Sequence, residues 1–212
     1  MQTLQQRAPD LSVIVPVYNL EPFIGHLLHT LKAQILDDVT VEHIFVLNNC
    51  TDDSEGVIRR SELPNTTILT CEEQGCGPAR NVGFEASTGE YIWFMDGDDW
   101  LLSRTALRDC VRAAQDNRLN ILRVPFRSDK FQYNYFSMVW QYVLYRDFVK
   151  DDRFPSIQPC EDDVYMDAVL KRVGADHNTF LYLPTMSAPL YYYNYLREGS
   201  NMYRHFHGEK LP

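Results

Sequence analysis

The apolar residues of this chain follow two periods in turn. Continuous β-rich runs at 11–17 (LSVIVPV), 41–47 (VEHIFVL) and 66–71 (TTILTC) predict strands buried on both faces, as in the middle of a parallel sheet. Pro16 has no N–H to give a ladder and is read as the end of the first strand. Between the runs the period changes: Phe23, Ile24, Leu27, Leu28 and Leu31 recur at helical spacing and predict a helix over 21–34 with Pro22 as its first residue. A polar loop from Asn48 to Ser54 leads into a helix carrying Val57 and Ile58, and the turn Gly75-Cys76-Gly77-Pro78 leads into a short helix ending at Ala86. A fourth strand, 92–95 (IWFM), follows Thr88-Gly89.

Farther along, a helix is predicted over 103–115, with Ser103 as its cap and Leu107, Val111 and Ala114 facing inward, then a strand over 120–126. The segment 131–149 carries Tyr133, Tyr135, Phe136, Trp140, Tyr142, Tyr145 and Phe148; its spacing favours a core helix, although such faces also stack well on sugar rings. Glu161-Asp162-Asp163 opens a helix over 164–172, where acids commonly do no more than oppose the macrodipole. A last strand is predicted at 190–195 (LYYYNY). Strands alternating with helices argue an α/β fold with a mostly parallel sheet, which binds ligands beyond the carboxyl ends of its strands. The Gly75 turn lacks a third glycine and follows the third strand, so it does not make a dinucleotide fingerprint.

The fourth strand stops on acid, at Asp96-Gly97-Asp98-Asp99. Ionised carboxylates cannot continue a buried strand unless they are paired or metal-bound. Taken alone the stretch has two readings. Asp-Gly is ordinary turn chemistry; equally, carboxylate oxygens suit Mg²⁺ or Mn²⁺, and Mg²⁺ is usually held by one or two carboxylates plus the phosphates of a substrate.

At 212 residues, with 45% hydrophobic and 23% charged, one domain with a sizeable core is expected. The formal charge of −9 disfavours a large nucleic-acid footprint. No apolar run approaches a membrane span and residues 1–10 lack the core of a signal peptide, so a soluble, unexported chain is expected. The five cysteines, Cys50, Cys71, Cys76, Cys110 and Cys160, form no C-x-x-C pair and are read as reduced thiols of a cytoplasm.

Several of these stretches together resemble the family 2 inverting glycosyltransferases of the GT-A fold, in particular bacterial members that build surface polysaccharides. Ser12 to Asn19 (SVIVPVYN) is similar to the family's first strand and nucleotide loop, Gly77 to Gly83 (GPARNVG) to its G-x-x-x-A-R-N-x-G segment, and Gly89 to Leu101 to its DxD core. Val139-Trp140, Tyr145-Arg146, Phe154-Pro155, Glu161-Asp162-Asp163, Tyr191, Tyr193 and Glu198-Gly199-Ser200 follow in the family's order. The second loop departs: the family usually has D-D-G-S-T-D where this chain reads Leu47-Asn48-Asn49-Cys50-Thr51-Asp52, so Asn48 replaces the acid that would accept the uracil N3 proton. An amide can both accept and donate, so uracil remains compatible.

The resemblance implies transfer of a sugar from a nucleoside-diphosphate donor, a UDP-sugar by preference, to a hydroxyl of a glycan or lipid-linked glycan, with inversion. It implies Mn²⁺ or Mg²⁺ on Asp96 and Asp98, and donor contacts from Pro16, Tyr18, Asn48, Arg80, Asp96, Gly97 and Asp99, with Arg80 a fixed cation near the phosphates. Asp162 is the candidate general base, Asp163 its rival and Glu161 a neighbour able to tune it. The organisation expected is a single GT-A domain over 1–212, its donor half at 10–102, an acceptor-side half at 103–200 and a tail at 201–212. His205 and His207 are read as tail residues in preference to metal ligands. The tail has no amphipathic basic stretch and no spanning pair, which argues against a processive membrane synthase and leaves peripheral membrane contact open. Two other classes compete: a nucleotidyltransferase on a related sheet, which would carry a Gly-rich basic loop where Tyr18-Asn19-Leu20-Glu21 stands, and a non-catalytic sugar-nucleotide or glycan-binding module.

Overall fold

The computed structural model describes residues 7–128, 138–157, 160–173, 180–182 and 189–194. Tyr133, Tyr135, Phe136, Glu198-Gly199-Ser200, His205 and His207 lie outside the described residues. The first half alternates as its periodicity predicts: β1 (Leu11–Val17), α1 (Gly25–Lys32), β2 (Val41–Asn48), α2 (Ser54–Arg60), β3 (Thr66–Cys71), α3 (Cys76–Ala86) and β4 (Tyr91–Phe94). There follow β5 (Trp100–Leu101), α4 (Ala106–Asp116), β6 (Ile121–Arg123), β7 (Phe126–Arg127), a 3-10 turn (Val139–Gln141), β8 (Tyr142–Tyr145), α5 (Arg146–Val149), α6 (Glu161–Lys171), β9 (Phe180–Tyr182) and β10 (Tyr191–Tyr192).

The main sheet has the order β3-β2-β1-β4-β8-β6-β9, parallel from β3 to β4, with β8 antiparallel to both of its neighbours. Side chains of a strand alternate between faces, and the core divides accordingly. Leu11, Val13, Val15 and Val17 of β1 pack with Leu27, Leu28 and Leu31 of α1 and with Leu107, Cys110 and Val111 of α4. Ile14 of β1, Ile44 and Val46 of β2 and Ile92 and Phe94 of β4 face the other way, onto Ala79 and Phe84 of α3 and Tyr165, Met166 and Val169 of α6. A small second sheet, β5-β10-β7, is built from the ends of distant segments.

Four expectations are corrected. Pro16 does not end β1, because its missing N–H faces β4, whose ladder stops at Ile14; on the other side Pro16 stays in register with Val46. Pro22 lies in a turn before α1, closed by the Phe23 and Ile24 N–H groups donating to the Leu20 carbonyl. The described part of the aromatic segment is not a core helix: Tyr142–Tyr145 is a strand buried between β4 and β6, in keeping with the preference of aromatic and β-branched residues for a pleated surface. The strand expected over 120–126 breaks at Val124-Pro125 and sends β6 and β7 to different sheets.

Candidate active site

Because β1 to β4 are parallel, the segments 18–24, 49–53, 72–75 and 95–99 leave from one edge of the sheet. The first two are laced together. Thr51 N–H donates to Asn19 Oδ1 (2.8 Å), Glu21 N–H to Asp52 Oδ2 (2.9 Å), Asp53 N–H to Glu21 Oε2 (2.9 Å) and Leu20 N–H to Ser54 Oγ (2.8 Å). Asn19 and Asn49 take left-handed backbone (φ 49° and 54°), a conformation that asparagine tolerates better than most residues. Tyr18 stands half-buried at this edge. Asn48 is buried and its amide is fully engaged: Nδ2 donates to the carbonyls of Cys71 (3.0 Å) and Glu73 (2.7 Å), while Oδ1 accepts from Gly75 N–H (2.8 Å). It shapes the loop between β3 and α3.

The centre of the edge is Arg80, a residue of α3 that is only 3% exposed. Its Nη2 donates to Asp96 Oδ1 (2.9 Å), and its Nη1 donates to Asp162 Oδ1 (2.6 Å) and Glu161 Oε1 (3.0 Å). The guanidinium also lies 5.3 Å from the ring centroid of Phe154, which stacks on Tyr165 at 3.9 Å. One cation thus joins the turn after β4 to the start of α6. Burial disfavours its charge, but Asp162, Asp96 and Glu161 more than compensate and hold it firmly protonated.

The three acids of the turn differ in their surroundings. Asp96 is partly open and its carboxyl is raised, first by burial and then by Asp98, with Arg80 opposing. Asp98 is half-buried. Asp99 is 1% exposed; its Oδ2 accepts from Tyr191 Oη–H (2.6 Å) and its Oδ1 from Asn194 N–H (2.8 Å), and burial pushes it well above the usual carboxylate range. A Cβ at Gly97 would come within 2.5 Å of Leu20 Cδ1, so the end of that side chain would have to shift.

At the other pole Cys160 is left-handed (φ 89°) and α6 starts at Glu161, three residues earlier than the period predicts. Asp162 accepts from Val139 N–H at Oδ2 (3.2 Å) as well as from Arg80. Burial raises it to about 7 against the pull of Arg80, with Glu161 adding to the rise. Asp163 is exposed. The approach to α6 is fixed by Asn81, whose Nδ2 donates to the Phe154 carbonyl and whose Oδ1 accepts from Phe154 N–H, both at 2.9 Å. Sequence reasoning gave no role to Val139 N–H, Tyr191 or Asn194. The order of motifs contained Val139 and Tyr191, but their partners are long-range.

Among the described residues no three His, Cys, Asp or Glu side chains converge into a ready-made metal cage. The turn does fit a Mg²⁺- or Mn²⁺-type ion that takes one or two carboxylates and completes its shell from a substrate. Asp96, Glu161 and Asp162 face a single guanidinium, so the pocket carries more acid than base.

Comparison with known proteins identifies the family and the fold. The sequence profile of glycosyl transferase family 2 matches residues 12–174, and the chain belongs to that family. It is 36% identical over 121 residues to EpsJ of Bacillus subtilis, an uncharacterized glycosyltransferase, covering 56% of this chain and 34% of that protein. It is 30% identical over 120 residues to TarS of Staphylococcus aureus, a poly(ribitol-phosphate) beta-N-acetylglucosaminyltransferase, covering 55% of this chain and 21% of that one. The crystal structure of TarS 1–349 with UDP-GlcNAc superposes with a TM-score of 0.76 over 92% of this chain and 60% of that chain, at 23% identity. A mannosyltransferase from Pyrobaculum calidifontis, solved with GDP-Man and Mn²⁺, gives 0.63 over 77% of this chain and 52% of that chain, at 22% identity. The fold is GT-A. This chain spans about a third of the length of EpsJ and about a fifth of TarS. No helix among the described residues is long and apolar enough to cross a membrane.

Proposed function

We propose that this chain transfers a sugar from a nucleoside-diphosphate donor to an acceptor hydroxyl with inversion. The observation that carries the reading is the bridge through Arg80, which sets Asp162 and Asp96 on one guanidinium. Asp96 and Asp98 would hold Mn²⁺ or Mg²⁺, which supplies Lewis-acid stabilisation of the leaving diphosphate when bound.

Asp162 takes the proton of the attacking hydroxyl. Its raised affinity for a proton suits a general base near neutral pH, and Val139 N–H and Arg80 fix both of its oxygens. Glu161 adds negative charge beside it and keeps it basic. Tyr18 and the loop held by Asn48 form the wall for the base; the Asn48 amide acts through that loop, because its donors are already engaged. Asp99 acts from below, anchoring the turn through Tyr191. A UDP-sugar donor and a surface-glycan acceptor are favoured by the activities and ligands of the relatives, TarS with UDP-GlcNAc above all.

The test is Asp162→Asn, which keeps shape and removes the proton acceptor. Transfer should fall by ~10²–10⁴-fold, while calorimetry with UDP and Mn²⁺ gives near-normal donor-site binding. Turnover close to wild type on a verified acceptor would remove the base from this mechanism.

A further inference from the structure

The strand β10 lies some 95 residues beyond the turn Asp96–Asp99, yet it supplies much of what holds that turn. Tyr191 is fully buried and is flanked in the small sheet by Leu101 of β5 and Phe126 of β7. Its hydroxyl accepts from Asp96 N–H (3.2 Å) and donates to Asp99 Oδ2 (2.6 Å), which uses one acceptor site and its only proton. Two residues past the strand, Asn194 donates its backbone N–H to Asp99 Oδ1 (2.8 Å) and its Nδ2–H to the Asp98 carbonyl (3.3 Å).

The same tyrosine reaches toward the other pole. Its ring stacks on Trp140 (centroids 5.0 Å apart, planes at 10°) and lies 6.1 Å from Trp93. Trp93 Nε1–H donates to the Trp140 carbonyl (2.8 Å), and the preceding residue, Val139, donates its N–H to Asp162 Oδ2 (3.2 Å). Arg80 joins the two poles by charge; Tyr191 joins them by stacking and hydrogen bonds, through different atoms.

We propose that Tyr191, aided by Asn194, is a positioning residue that holds the turn bearing Asp96 and Asp98 in its cation-binding shape and, through Trp140, sets it relative to Asp162. This rests on the reading that Asp96 and Asp98 take the cation and that Asp162 is the base. The hydroxyl belongs to the turn and the ring to the base, so removing one without the other separates the two effects.

Tyr191→Phe deletes the hydroxyl and keeps the stack. With UDP present, Mn²⁺ binding followed by the paramagnetic resonance of free Mn²⁺ should weaken roughly tenfold, whereas UDP binding without metal stays unchanged, a split that general loosening of the fold would not give. Asp99→Asn should weaken Mn²⁺ similarly, and the double variant should be no worse than the poorer single, because both remove one linkage. Asn194→Ala, which leaves the Asp99 contacts to Tyr191 and to the backbone in place, provides a milder probe should Tyr191→Phe fold poorly; about threefold weaker Mn²⁺ binding is expected. The proposal is overturned if Tyr191→Phe, or Asn194→Ala where the former does not fold, binds Mn²⁺ with UDP as the wild type does, or if the two singles add fully. Asp98→Ala is the control: if it too binds Mn²⁺ normally, the cation site itself has been misassigned, and that failure is recognisable as a different one.

Discussion

Two stretches of this chain carry three acids apiece, Asp96-Gly97-Asp98-Asp99 and Glu161-Asp162-Asp163, and on paper they look interchangeable. Their surroundings separate them. The first is a turn beyond a buried strand; its last acid is fully enclosed under Tyr191 and its middle one half-buried. The second is the first turn of a helix; its first two acids lie against Arg80 and its last faces solvent. Position at a helix N-terminus favours an ionised carboxylate, yet Asp162 is raised to about 7, so burial outweighs the helix. The lesson is that an acid's enclosure, built here with partners from 16 to 92 residues away, dominates its proton affinity.

The sharpest way to break the contrast is to remove the cation. If the first stretch serves metal and the second a proton, EDTA should abolish transfer, Mn²⁺ or Mg²⁺ should restore it, and Asp98→Ala should remain inactive at any metal level tested. Full turnover in chelator would merge the two stretches into one kind of acid cluster.

Arg80→Leu should have the next largest effect. Taking away one partner of a buried charge group leaves carboxylates uncompensated and typically costs about 3–5 kcal/mol of folding free energy. Urea unfolding would read the loss, and a change below about 1 kcal/mol would mean that the bridge stabilises nothing.

A smaller effect separates the stretches by pH. Asp162 must be ionised to act, so transfer rises as pH passes upward through about 7 and levels off above it. Stability runs the opposite way. The native state keeps a proton on Asp162 that the unfolded chain releases near the ordinary value of 3.8, so the native state loses stability as pH climbs from about 4 to about 7 and is level beyond. Asp96 and Asp99, also raised, contribute with the same sign. A pH profile of turnover beside one of melting temperature checks both directions. The smallest effect is Asp163→Asn: an exposed acid outside the Arg80 cluster should alter turnover by no more than roughly twofold, within the usual range for surface changes.

Much of the fold could be read from period alone. The runs at 11–17, 41–47 and 66–71 are apolar and short, the helix after the first carries clean 3.6 spacing, and a polar loop and a turn lead into the next two, so β1 to β4 and their crossovers were legible. The aromatic segment was not, because Tyr133, Phe136 and Trp140, and Tyr142, Tyr145 and Phe148, recur three or four residues apart, so the short run Tyr142–Tyr145 reads as part of a longer helical stripe. Candidate acids could be picked out by type and by family order. The surroundings of the site residues could not, since Asp99 is enclosed under Tyr191 and the Asn48 amide is spent on the carbonyls of Cys71 and Glu73. Hydrogen-bond partners of that kind leave no local mark in a sequence.

The paired bonds between Asn81 and Phe154 are, in effect, one rung of an antiparallel ladder in which a side-chain amide stands in for a peptide. Only asparagine and glutamine offer a donor and an acceptor in one such plane, and glutamine is a methylene too long for the same fit. Aspartate at 81 would keep the bond from Phe154 N–H and turn the other into a carboxylate set against a carbonyl. The chain entering α6 would then be pushed away from α3 at the rung, and Asp162 would lose the footing from which it meets Arg80.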